Sequence, residues 1–135
     1  LWLFQKFIPN GNTLKYLPKI MKPAFETILL ALTSTLLSSI FALIMAVIGS
    51  ETVGISKVAV FAVKLTASFF RNMPVVAWSL LLLFSFKQSQ FTGLLSLTFI
   101  TFGYLTRSFM ETIDEVAGDV VEALKATGAS WWQIV

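Results

Sequence analysis

TILLALTSTLLSSIFALIMAVIGS, residues Thr27 to Ser50, is the stretch on which the fold turns. It lies between Glu26 and Glu51 and runs 24 residues without a charge. Roughly 20 apolar residues are enough to carry a helix through the hydrocarbon core of a bilayer. The Ser and Thr residues at positions 33, 34, 35, 38 and 39 are compatible with that reading. A helix satisfies such hydroxyls on its own preceding carbonyls, or turns them toward a neighbouring helix. They predict a span packed against other helices rather than a lone anchor.

The composition around this stretch agrees. Of 135 residues, 56% are hydrophobic and only 13% are charged. A soluble domain of this size would be left with large exposed apolar patches, a conflict that lipid removes. Cysteine and histidine are both absent. That excludes disulfide frameworks, thiol nucleophiles, imidazole bases and the usual zinc ligand sets together. The net charge of +3 comes from Lys and Arg residues scattered between apolar stretches, so no nucleic-acid partner is indicated. The opening Leu1 to Phe4 is too short for the core of a signal peptide before Gln5 and Lys6 interrupt it. Because the chain opens on Leu1 and Val135 falls inside what reads as an unfinished amphipathic helix, it is taken as a piece of a longer polypeptide.

Working outward, a second uncharged interval of 19 residues runs from Gln88 to Thr106. Gly93, Ser96 and Gly103 within it predict an interhelical face, since small residues let helix backbones approach closely in lipid. Between the two intervals, residues 58 to 86 are apolar but broken by Lys64, Arg71 and Pro74. The uncharged part, Asn72 to Phe86, would give about 22 Å of helix against a core of about 30 Å. A helix pair divided near Asn72, Met73 and Pro74 is the preferred solution, because proline disfavours helical geometry in the residue before it. A helix beginning earlier with Arg71 snorkelling, or residues 58 to 70 lying along the membrane surface, are the two ways to complete the crossing. The spans are thus placed at about 27–50, 68–86 and 88–106. Lys6, Lys15, Lys19, Lys22 and Lys87 then fall on one side and Lys57, Lys64, Arg71, Arg107 and Lys125 on the other. The bias of cationic residues toward the cytoplasm therefore leaves orientation undecided.

No stretch after Glu111 could cross a membrane, so residues 111 to 135 are read as aqueous or interfacial. Glu111, Asp114 and Glu115 are expected on a solvated helix face rather than as an acid-base pair. Asp119 and Glu122 have the spacing of a capping box, Gly128 suits a left-handed helix end, and Ser130 with Gln133 repeats the capping spacing. These signals predict a short helix from Asp119, a glycine turn and a new helix. The bland alternative for residues 122 to 128 is an ordinary capped surface helix. Arg71 reads most simply as an interfacial anchor, Trp78 as packing, and Trp131 and Trp132 as interface or packing residues.

Glu122, Ala123 and Leu124, then three residues, then Gly128, resemble the cytoplasmic coupling loop of the permeases of ABC importers. Leu124 stands where that loop usually has a second alanine. In order along the chain, Phe7-Ile8-Pro9, Tyr16-Leu17-Pro18, Pro23 ahead of Glu26-Thr27, Arg71 to Trp78, and Glu122 to Ser130 are similar to the phosphonate-type permeases.

The resemblance implies an all-α, polytopic membrane protein of the permease helical-bundle type, with residues 1–135 forming part of one transmembrane domain in a bacterial inner or plasma membrane. It implies that Glu122, Ala123, Leu124, Ala126, Gly128, Ala129 and Ser130 form the lug that docks on a cytoplasmic ATPase. It also implies a second permease subunit, in a homodimer, and an extracytoplasmic substrate-binding protein as partners. The implied cargo is phosphonate, phosphate or a related small anion. An amino-acid or other small-solute permease, a membrane scaffold, and a membrane enzyme using the Asp and Glu residues are the alternatives. No Gly-rich phosphate loop ending in Lys-Ser or Lys-Thr is present, so no nucleotide cofactor is expected and ATP hydrolysis would belong to another chain. No substrate-pathway residues are assigned.

Overall fold

The computed structural model describes residues 16–134, which form helices α1 (Leu17–Gly49), α2 (Lys57–Asn72), α3 (Val75–Phe86), α4 (Gln90–Ala126) and α5 (Trp131–Ile134). Leu1 to Phe4, Lys6, Phe7-Ile8-Pro9, Lys15 and Val135 lie outside the described residues. All regular structure among them is helical.

α1 starts with proline in its first turn, where the missing N–H costs nothing, and ends as Ser50 turns extended. Its buried residues are Ser34, Ser38, Ala42, Ala46 and Gly49, a stripe of small side chains recurring about every four positions. Ile28, Leu32, Leu36 and Ile40 are exposed on another face. In lipid this arrangement is expected, because the apolar side chains meet the acyl chains while small residues allow close helix contact.

The partner of that stripe is α4, whose buried Thr92, Ser96, Gly103 and Thr106 are equally small. The Ser38 hydroxyl donates to the Thr98 carbonyl at 2.9 Å. Thr33, Ser34, Thr35 and Ser39 instead donate to carbonyls three or four residues back in α1. Three contacts fix the register: Gln90 with Glu26, Ser38 with Thr98, and Ser50 with Asp114, at separations of 64, 60 and 64 positions. A nearly constant separation means that α1 and α4 run parallel, so the chain between them must return to the starting end.

α2 and α3 make that return, and they meet at 89° across a short break. Met73 is extended at φ −79°, ψ 126°, as the residue before Pro74 is biased to be. The division expected at Asn72, Met73 and Pro74 is therefore present. α2 does not lie flat beneath the bundle, however. A Cβ on Gly49 would meet Val63, and one on Gly103 would meet the backbone at Ala67, Phe70 and Arg71. α2 thus climbs along α1 and α4 from its first turns, because Val63 and Ala67 form its buried face.

Beyond the break, Trp78 stacks on Phe70 with centroids 5.2 Å apart and meets Phe99 edge-on at 4.9 Å. Trp78 is packing, as expected. By length and composition α1 qualifies alone as a membrane-crossing helix and α2 with α3 qualifies as one bent unit. α4 does not qualify: its uncharged part, residues 90–106, ends at Arg107 and carries Thr, Ser and Gly on its inward face.

Two expectations are corrected. Asp119 does not start a helix: α4 runs unbroken from Gln90 to Ala126, with Asp119 exposed in its interior. The face carrying Thr106, Met110, Asp114 and Val121 continues past Gly118, and a break at Asp119 would pull it away from its contacts. Of the small residues predicted to give a close helix contact, Ser96 and Gly103 do, whereas Gly93 faces α3 across an open cleft and a Cβ there would meet nothing within 4 Å.

Candidate coupling site

The C-terminal end of α4 closes with bonds to the Ala123, Leu124 and Lys125 carbonyls. Thr127 is the last residue near helical geometry, and Gly128 follows at φ +82°. The Gly128 amide donates to the Lys125 carbonyl at 3.1 Å and the Ala129 amide to the Leu124 carbonyl at 3.2 Å. These are the two bonds of a Schellman closure, which satisfies carbonyls that the helix end leaves free and requires a left-handed residue between them. Ser130 then opens α5, and the Gln133 side chain reaches back to its amide at 2.8 Å and its hydroxyl at 3.0 Å. Both the glycine turn and the second capping pair are as the sequence predicts.

The residues singled out as the lug therefore sit together on one helix end and its turn. Glu122, Ala123, Ala126, Gly128 and Ser130 are exposed, while Leu124 and Ala129 are half-buried. Val116 and Val120 lie on the same stretch of α4 at 74% and 61% exposure, and Trp132 of α5 is 83% exposed. An apolar surface here, beyond the last membrane-compatible stretch, is open for a partner.

This lug is tied to the turn that follows α1. Lys125 donates from its ammonium to the Thr52 carbonyl at 2.8 Å, and the Trp131 indole donates to the Val53 carbonyl at 2.7 Å. Asp114, about three turns before Lys125 on α4, takes the amide side of the same turn. It accepts from the Ser50 hydroxyl at 2.5 Å, the Thr52 amide at 3.0 Å and the Glu51 amide at 3.2 Å. Burial pushes the Asp114 carboxyl up, but the hydrogen bonds from Ser50, Thr52 and Glu51 outweigh it and hold the carboxyl below its ordinary 3.8.

The expectation of a solvated face is thus correct for Glu111 and Glu115 and wrong for Asp114. Glu111 is exposed and pairs with Arg107 at 2.6 Å along the helix. Asp114 is half-buried because it faces the N–H groups at the end of α1, which no span-counting rule reveals. Lys64 pairs with Glu51 at the outer side of the same turn. Sequence spacing carries no sign of the Asp114, Lys125 and Trp131 contacts, since their partners lie 62 to 78 positions away.

Residues 39–135 match the family described as binding-protein-dependent transport system inner membrane component. Among curated proteins, the chain is 28% identical over its whole length to a protein of Stutzerimonas stutzeri named as a phosphite transport system permease, HtxC. The chain spans about half the length of that relative, 48% of it. No solved structure matches the chain. The match takes in the last third of α1, all of the return pair and the whole lug, and the chain accordingly belongs to the ABC importer permeases, the inner-membrane components of binding-protein-dependent transport systems.

Proposed function

We propose that this chain is part of a permease subunit that imports phosphite, phosphonate or a related phosphorus oxyanion, driven by a separate cytoplasmic ATPase. The family supports the transport class, and the relative named for phosphite supports the anion. In this reading the crossings are at about 27–50 and 88–106, with the bent pair α2 and α3, which contains the expected 68–86 span, as the crossing between them. Residues 111–135 stand on the cytoplasmic side, two permease subunits form the pathway, and an external binding protein delivers the anion.

The observation that carries the reading is the exposed lug from Glu122 to Ser130, closed by Gly128 at φ +82° and flanked by uncovered Val116, Val120 and Trp132. A rigid end of this kind can receive a push from a closing ATPase and convert it into rocking of the helices above, a two-state rigid-body change. Glu122 and Ala123 would meet the ATPase groove and Gly128 would hold the angle of the lug.

The test is co-purification with transport. The full-length protein should bring down a P-loop ATPase, and vesicles holding the complex should accumulate phosphite or methylphosphonate only with ATP inside. A full-length permease that recruits no ATPase would rule the reading out. Accumulation of an amino acid in place of the phosphorus oxyanions would leave the permease class standing and reject the cargo.

A further inference from the structure

The turn between α1 and α2 is held from both sides by residues of the opposite end of the chain. Its amides at 51 and 52 and the Ser50 hydroxyl are taken by the single carboxylate of Asp114. Its carbonyls at 52 and 53 are taken by Lys125 and Trp131, which bracket the lug. Ser50 is fully buried at this contact, and its hydroxyl oxygen also accepts the Val53 amide at 3.1 Å, so the turn has little freedom of its own. Within the chain, then, the C-terminal end of α1 is held to α4 and α5 by five polar contacts, added to the apolar packing of Ala46 and Ile48 around Met110, Phe109 and Ile113.

We propose that Asp114 is a positioning residue that makes α1 and the lug a single lever. In this arrangement a displacement of residues 122–130 reaches α1 directly through the 50–53 turn, without passing through α2 and α3. The proposal rests on the coupling reading above. Asp114 touches neither cargo nor nucleotide in it. Its carboxylate is suited to the task because one acidic side chain accepts three donors at once, and neither an amide nor an aliphatic side chain of the same size does so.

Residues 1–135 hold no cysteine, which allows a test in the assembled full-length complex in liposomes once every cysteine elsewhere in the complex is replaced by serine. Asp114→Asn removes one acceptor oxygen and the charge. A Ser50→Cys/Asp114→Cys pair replaces the contact by a bridge that a short bis-methanethiosulfonate closes and a reductant opens. Import is followed for whichever of phosphite, methylphosphonate or phosphate the parent accumulates, alongside ATP turnover. The lever predicts that Asp114→Asn and the reduced pair still hydrolyse ATP but import at least fivefold less per ATP. Closing the bridge should restore the parental ratio within twofold, an effect that a merely destabilised fold would not show.

Parental import per ATP in Asp114→Asn, or arrest of the cycle on bridging, overturns the lever. If Gly128→Val uncouples the complex while Asp114→Asn does not, the lug is the coupling element and the Asp114 clamp is not. If the parent recruits no ATPase at all, the coupling reading beneath the proposal fails first.

Discussion

Gly103 of α4 lies directly against the backbone nitrogen of Arg71 in α2: a Cβ there would sit 2.6 Å from that nitrogen and 3.0 Å from the Ala67 carbonyl oxygen. Both obstacles are main chain, so no side chain can swing aside. Gly93, ten positions earlier on the same helix, has nothing within 4 Å of the equivalent point. Gly103→Ala should therefore force α2 and α4 apart at a cost of about 1–3 kcal/mol, the range for overfilled packing. Gly93→Ala should be neutral or stabilising by up to about 1 kcal/mol through helix propensity. Thermal unfolding in detergent of the two variants checks the contrast, and equal losses for both would contradict the packing described.

At Gly128 the cost of a side chain has another origin. Open space surrounds it, but φ is +82°. Gly128→Val should strain the turn by about 1–2 kcal/mol and change the direction in which residues 129–134 leave α4, whereas Gly128→Asn should be milder, since Asn tolerates the left-handed region. Import per ATP should fall strongly for Val and modestly for Asn, with both proteins present in the membrane at parental amounts.

The Asp114 contacts set a pH dependence. The carboxyl is held below its ordinary 3.8, so its stabilising contribution is complete above that value and is lost as pH falls through the lower native one. Asp114→Asn should cost about 1–3 kcal/mol at neutral pH, with donors left poorly matched. The gap between parent and variant should close below pH 3.8. Unfolding midpoints measured from pH 7 downward test this, and a gap that widens on acidification would show that the sign is wrong.

Trp131 supplies the last contact to the turn. Trp131→Phe keeps an aromatic ring beside Trp132 but removes the donor to the Val53 carbonyl. A loss of about 1 kcal/mol is expected, seen as roughly fivefold faster hydrogen exchange in residues 129–134. Unchanged exchange there would mean that the indole bond does not hold the lug.

Much of this architecture is legible in the sequence because lipid simplifies the rules. An uncharged run of sufficient length gives α1, and Pro74 gives the break after Asn72, since each depends only on local residue chemistry. Gly128 and the Ser130–Gln133 pair are legible for the same reason. The reading fails where tertiary contact overrides a local signal. Asp119 and Glu122 have capping spacing, yet the buried face through Met110 and Val121 keeps α4 continuous past them. Asp114 looks like one more surface acid, and only the parallel run of α1 and α4 brings it to the end of the first helix. Gly93 and Gly103 are indistinguishable by spacing and differ only in what α2 places opposite them.

In the proposed orientation the segment from Glu122 to Ser130 faces the cytoplasm, where an ATPase can reach it. Residues 1–135 hold no cysteine, so Ser130→Cys in the full-length protein, with every cysteine outside this stretch replaced by serine, tests this directly, using a membrane-impermeant maleimide on intact cells and on inverted vesicles. The account predicts labelling in inverted vesicles and none in intact cells. Labelling from outside intact cells would contradict it.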